Sequence, residues 1–200
     1  MRLLSILFLA VVLSLSATAA PYSLGIQGGL SMANVSSEPT ADTGSRTSLS
    51  FGATADVQLY EWLYLNPELM YVAGGFTSTS GTTTTTTSVN WLAVPVNLKA
   101  KFNATPELMP YVFVGPSLGF KLSAKSGDTD ASANVKSTAF DLGFGAGMEY
   151  WVNPSIAILL NGRYVLGLSN TTDQASSALL ANVVTKNKMF MFLAGATFAL

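Results

Sequence analysis

Beyond its first two dozen residues the chain alternates between apolar and polar positions with period two, the pattern of strands that bury one face. Leu49, Phe51, Ala53, Ala55, Val57 and Leu59 fall on one face of a segment whose other face carries Ser48, Ser50, Gly52, Thr54, Asp56 and Gln58. Leu92, Val94, Val96, Leu98 and Ala100 likewise oppose Pro95, Asn97, Lys99 and Lys101, and Phe140, Leu142, Phe144, Ala146 and Met148 oppose Asp141, Gly143, Gly145, Gly147 and Glu149. The pattern predicts eight strands, at 22–34, 47–60, 63–77, 88–102, 109–123, 137–152, 155–169 and 187–200. Each is long enough to cross a bilayer, since a tilted membrane strand needs only ~9–11 residues.

The connections alternate in length. Glu61-Trp62, Asn103 to Leu108 and Asn153-Pro154 are short, whereas 35–46, 78–87, 124–136 and 170–186 are long and rich in Ser, Thr, Asn, Asp and Gly. Short turns at one end and long loops at the other are the habit of outer-membrane barrels, and an even strand number puts both termini at the short-turn, periplasmic end. The run Thr82 to Thr87 is expected as a solvated loop tip.

Alternation alone does not say which face is inside, because a soluble lipocalin-like barrel would invert it. Glycine decides. Gly25, Gly29, Gly52, Gly74, Gly115, Gly119, Gly143, Gly145, Gly147 and Gly167 all share the polar face. The concave side of a narrow barrel has the least room, so that face is expected to be the lumen and the apolar face to meet lipid. Aromatics point the same way. Tyr22, Tyr60, Trp62, Tyr64, Phe102, Tyr111, Tyr150, Trp151 and Phe198 gather at the periplasmic strand ends, and Phe76, Trp91, Phe120, Phe140 and Phe190 nearer the other. Two interfacial girdles are expected from them.

Composition narrows the class further. The chain is 49% hydrophobic and only 10% charged, against about 25% charged in soluble domains, and it contains no run of apolar residues long enough for a transmembrane helix after its N-terminus. Strands then remain as the spanning element. The N-terminus itself reads as a signal peptide over 1–19: Arg2 precedes the apolar stretch Leu3 to Leu15, and Ala17-Thr18-Ala19 offers small residues for cleavage. Cleavage would remove Arg2 from ten basic residues, leaving nine against eleven acidic ones, a net charge of −2, on a single barrel domain over 20–200. With no basic patch, no nucleic-acid partner is expected.

Several stretches resemble the porin-family, PorT-like outer-membrane β-barrel domain: Leu65-Asn66-Pro67-Glu68-Leu69-Met70-Tyr71, Val94-Pro95-Val96-Asn97-Leu98-Lys99, Pro110-Tyr111-Val112-Phe113-Val114-Gly115-Pro116-Ser117-Leu118-Gly119, Gly145-Ala146-Gly147-Met148-Glu149-Tyr150 and Arg163-Tyr164-Val165-Leu166-Gly167-Leu168-Ser169. The resemblance spans nearly all of the mature chain. It implies an eight-stranded antiparallel up-and-down transmembrane barrel in the bacterial outer membrane and little about activity. One departure is the ending Phe198-Ala199-Leu200, where such barrels commonly finish on an aromatic.

Chemistry has few carriers here. The sequence holds no cysteine and no histidine, which removes disulfides, histidine-ligated metals and nucleophile–histidine catalysis. Gly143-Phe144-Gly145-Ala146-Gly147 has glycine at every second residue with no helix to follow, so it reads as a lumen-facing strand rather than a phosphate loop. Asp128-Thr129-Asp130 lacks a further acidic neighbour and reads as an external turn rather than a calcium loop. No cofactor, metal or enzymatic activity is expected. The inward charges Asp56, Glu68, Asp141 and Glu149 balance Lys99, Lys101, Lys121 and Arg163. Buried charges persist when paired, and eight strands leave a bore that side chains can fill. These eight residues are therefore expected to form an internal salt-bridge network, with Arg163 bridging two carboxylates and Met189, Met191 and Leu193 packing beside it. The expected role is structural or surface-interacting, through the external loops. A narrow channel for small solutes or ions and an outer-membrane lipid-modifying enzyme are the alternatives. Expected partners are outer-membrane lipid, the barrel-assembly machinery during insertion, and an unidentified extracellular ligand of the loops.

Overall fold

In the computed structural model, residues 22–38, 43–80, 83–176 and 183–200 are described. Residues 1–19, expected as a signal peptide, lie outside them. The strands are β1 (Tyr22–Glu38), β2 (Thr43–Tyr60), β3 (Leu63–Ser80), β4 (Thr83–Lys101), β5 (Leu108–Ser126), β6 (Thr129–Asp130), β7 (Thr138–Asn153), β8 (Ile156–Gly167) and β9 (Val184–Ala199). Each long strand pairs antiparallel with its sequence neighbours, β1 pairs with β9, and β4 pairs with β5, so the sheet closes on itself with no free edge. The two-residue β6 only folds back on the end of β5 through a turn in which Gly127 takes a left-handed φ of 56°. The result is an eight-stranded up-and-down barrel.

The predicted strands are all present, with boundaries shifted chiefly at the external end. β1 and β2 continue through 35–38 and 43–46, and β3 pairs with β4 as far as Ser80 opposite Thr83. Thr83 to Thr87 are therefore ladder residues, not a loop tip; Thr82 lies outside the described residues. The cause is physical. Threonine suits an extended backbone and makes cross-strand pairs, such as Thr77 opposite Thr86 and Ser78 opposite Thr85. Thr84, Thr85 and Thr86 are all exposed whichever face they take, so no apolar face marks this stretch as strand.

The faces fall as the alternation requires. Leu24, Ile26, Leu30, Leu49, Phe51 and Phe192 point outward and are exposed, with Ile26 at 63%. On the same strands Gln27, Ser31, Ser50, Asp56 and Leu193 point into the barrel and are buried. Apolar outside and closed polar backbone inside is the arrangement hydrocarbon demands. Inward glycines serve inward aromatics. Tyr111 stands opposite Gly147 and Phe113 opposite Gly145 on the neighbouring strand, and a Cβ on either glycine would run into the ring and the next strand's carbonyl.

Those rings correct part of the girdle expectation. Tyr60, Trp62, Phe102, Tyr150 and Phe198 are exposed at the periplasmic end, and Phe120, Phe140 and Phe190 further up. Tyr111 and Trp91 are not girdle residues: both are buried in the lumen, Trp91 at 6% exposure. Their odd-numbered positions on β5 and β4 put them on the same face as Gly115 and Lys99, and the alternation outranks any preference of aromatics for the interface.

Candidate functional site

The lumen is built in three tiers, each from residues two apart on a strand. Nearest the periplasmic end, Asp56 of β2 and Glu149 of β7 face each other from strands four places apart in either direction around the ring of eight. Lys99 and Lys101 of β4 stand between them. Lys101 Nζ reaches Asp56 at 2.8 Å and Glu149 at 2.7 Å, and Lys99 Nζ reaches Asp56 at 2.8 Å and Glu149 at 3.8 Å. Two cations and two carboxylates cancel, and all four side chains are buried, Glu149 completely at 0%. Aromatic faces complete the cations' surroundings: Lys99 Nζ lies 4.7 Å from the Tyr111 ring centre and Lys101 Nζ 4.6 Å from that of Tyr64.

The middle tier is centred on Glu68 of β3 and Arg163 of β8, again on opposite strands. Arg163 Nη1 donates to Glu68 Oε2 at 2.7 Å and Nη2 to Oε1 at 3.1 Å, a bidentate pair. Amides satisfy what is left. Gln27 and Asn97 each donate to Glu68, Asn161 accepts from Arg163 Nε and donates to Gln27, and Asn66 accepts from Asn97 while donating to Asp56. Asn66 thus ties the two ionic tiers together. The Arg163 guanidinium also lies 4.9 Å from the Phe113 ring centre.

Towards the external end the lumen turns apolar. Met70, Val72, Trp91, Ala93, Met189, Met191 and Leu193 form a buried cluster with Ala33 and Ala139. The inward placing of Met189, Met191 and Leu193 agrees with the alternation, but a hydrophobic tier this large does not follow from a face read as polar.

Six of the eight expected charges are therefore joined, in two groups rather than one: Asp56, Lys99, Lys101 and Glu149, and Glu68 with Arg163. Two expectations need correction. Arg163 binds one carboxylate twice rather than two carboxylates once: Glu68 is its one ion-pair partner among the described residues. Lys121 and Asp141 stand outside both groups. Lys121 Nζ donates to the backbone carbonyls of Ser132 and Val135, fastening the connection after β6 to the barrel mouth. Asp141 is buried at 8% exposure, makes no ion pair among the described residues, and leaves Oδ1 without a hydrogen-bond partner. The lysine sits too near the rim to reach inward, and carbonyls left free by an irregular connection claim it first.

The amides Gln27, Asn66 and Asn161 were missing from the expected network. They occupy inward register positions that the same alternation assigns, so uncharged polar residues on the lumen face are the signal that finds them. At the mouth, Asp130 accepts hydrogen bonds from the Ser132 side chain and backbone N–H, which hold its carboxyl below the usual range. No set of three or more potential metal ligands occurs among the described residues.

No curated protein matches the sequence. Among solved structures, Neisserial surface protein A superposes with a TM-score of 0.59 at 16% identity, over 88% of this chain and 97% of that one. The outer membrane protein OprG from Pseudomonas aeruginosa superposes at 0.60 with 14% identity, over 90% and 96%. The N-terminal β-barrel domain of OprF from the same species reaches 0.52 at 13% identity, over 89% and 97%. At such identities these likenesses show the fold. Residues 18–173 match the family described as outer membrane protein beta-barrel domain. The chain belongs to that family of bacterial outer-membrane β-barrel proteins.

Proposed function

We propose that the protein is a non-enzymatic outer-membrane barrel whose lumen is closed by its own paired side chains and whose working surface is the external end. The observation that carries this reading is the pair of charge bridges joining opposite walls, Asp56 to Glu149 through the two lysines and Glu68 to Arg163. Between Gln27, Glu68, Lys99, Tyr111, Asn161 and Arg163 there is no room for the centre of a water molecule. An ion crossing this level would have to part buried pairs, and stranding one such charge costs roughly 3–5 kcal/mol. Outer-membrane lipid is the partner of the apolar belt, the barrel-assembly machinery its partner during insertion, and an extracellular ligand the partner sought at the mouth.

Solute uptake into liposomes tests the reading. Vesicles carrying the folded protein should swell in isotonic arabinose no faster than protein-free vesicles. Swelling in proportion to protein content would support a narrow solute channel instead.

A further inference from the structure

The apolar tier is not filled. It surrounds a cavity of about 50 Å³ whose walls include Met70, Trp91, Phe113, Asp141, Met189 and Met191, room for about one or two waters. Above it lies a wider vestibule of about 310 Å³, walled by Val35, Phe76, Val89, Val135 and Thr172. Trp91 and Asn187 line both spaces, so the cavity adjoins the vestibule at the external mouth. Its floor is the Glu68–Arg163 tier.

Only two charged residues line the inner cavity, Arg163 and Asp141. Arg163 already has its counter-charge: both Nη groups donate to Glu68, and Nε donates to Asn161. Asp141 is the uncompensated one. Its Oδ1 is buried without a hydrogen bond, and Asn187 beside it supplies an amide, not a charge. No other cation is at hand. Lys121 is held by two carbonyls, Arg46 donates to the Gly74 carbonyl, and Lys125, Lys136, Lys186 and Lys188 are exposed. The sequence of 39–42, 81–82 and 177–182 contains no Lys or Arg, so those residues supply none either.

A buried carboxylate with no partner is costly until a cation or a proton neutralises it. In an apolar cavity that adjoins the vestibule, a ligand can bring that cation with it. The walls select the remainder of the molecule: Trp91 and Phe113 offer aromatic faces suited to an ammonium, and the methionines offer adaptable apolar contact. We propose that this cavity binds a soluble primary amine with a slender apolar body, its ammonium on Asp141 and its chain running past Trp91 into the vestibule between Val89 and Val135. The proposal rests on the closed inner end, since in an open pore the same residues would be wall rather than pocket.

The test is a titration of the full mature protein in phosphatidylcholine nanodiscs with hexylamine, hexan-1-ol and hexanoate, using Trp91 fluorescence with Trp62 and Trp151 changed to Phe. Hexylamine should give a saturable change that protein-free nanodiscs lack, and should bind more tightly than hexan-1-ol or hexanoate. Asp141→Asn should weaken hexylamine by about tenfold or more, the worth of a charge-assisted hydrogen bond, while leaving hexan-1-ol unchanged. Ser117, directly opposite Asp141 in the ladder, provides a second variant: Ser117→Lys places a tethered ammonium beside the carboxylate and should abolish amine binding. Equal binding of amine and alcohol, or an unchanged affinity in folded Asp141→Asn or Ser117→Lys, overturns the proposal. Liposome swelling reads the closed lumen separately, so a protein that admits arabinose yet fails to bind amine is distinguishable from one that is closed and fails.

Discussion

Arg163 and Glu68 meet across the full width of the barrel, joined by hydrogen bonds of 2.7 and 3.1 Å from strands that stand opposite each other in the ring. A single bidentate pair thus ties two walls that share no backbone hydrogen bond. Removing the cation leaves Glu68 buried with only the Gln27 and Asn97 amides to face it. Arg163→Leu should lower unfolding free energy by roughly 3–5 kcal/mol, read by urea titration in detergent. The double variant Arg163→Leu with Glu68→Leu should recover much of that loss, because no charge is then stranded. Unchanged stability in the single variant would mean that the pair contributes nothing to the fold.

The lower tier should respond to charge balance rather than to any one residue. Glu149→Gln leaves Lys99 and Lys101 sharing Asp56 alone, and the heat-induced mobility shift of the folded barrel on gels should move to lower temperature. Adding Lys101→Met restores neutrality and should bring the shift back towards the parent protein. A double variant weaker than either single one would contradict a balance of charge as the cause.

Face assignment can be tested where crowding does not confuse it. Ile26 lies exposed in the outward apolar run of Leu24 to Met32 on β1. Ile26→Arg sets a cation in hydrocarbon, at a cost of ~2–4 kcal/mol near the bilayer midplane. Ser117→Lys, on the lumen face beside Asp141, gains a partner. Refolding yields into lipid vesicles should therefore rank Ser117→Lys above Ile26→Arg. The reverse order would turn the barrel inside out.

Processing is expected to leave Ala20 as the first residue, since Ala17 and Ala19 suit the small sites before the scissile bond. Intact-mass measurement on protein taken from outer membranes checks this, and a mass that retains Arg2 would contradict it.

Much of this was legible because a membrane barrel leaves every spanning residue one of two environments. Period two therefore assigned Asp56, Glu68, Lys99, Lys101, Glu149 and Arg163 to the lumen, and balanced charge implied that they pair. The same rule failed where its premise lapsed. Thr83 to Thr87 are one polar residue type on both faces, and Thr84 to Thr86 are all exposed, so their strand carries no alternation. Register, in turn, decides who meets whom: a face contains Lys121 and Asp141 equally, but only height along the barrel separates Lys121 at the rim from Asp141 within. The girdle expectation misplaces Trp91 and Tyr111 because aromatics favour interfaces on average, whereas glycines on the adjacent strands, Gly119 beside Trp91 and Gly147 opposite Tyr111, make room for rings inside. Pairing partners fixed by barrel shear are not written in any single segment.

Single-channel recording in planar bilayers tests closure of the lumen most directly. The parent protein should add no resolvable openings to the bare membrane. Arg163→Ala combined with Lys101→Ala removes a side chain from each of the two bridges and should give small openings in a barrel that still folds. Stable, ion-selective openings in the parent protein, unchanged by the double variant, would contradict the account, because the bridges would then not be what bars the way.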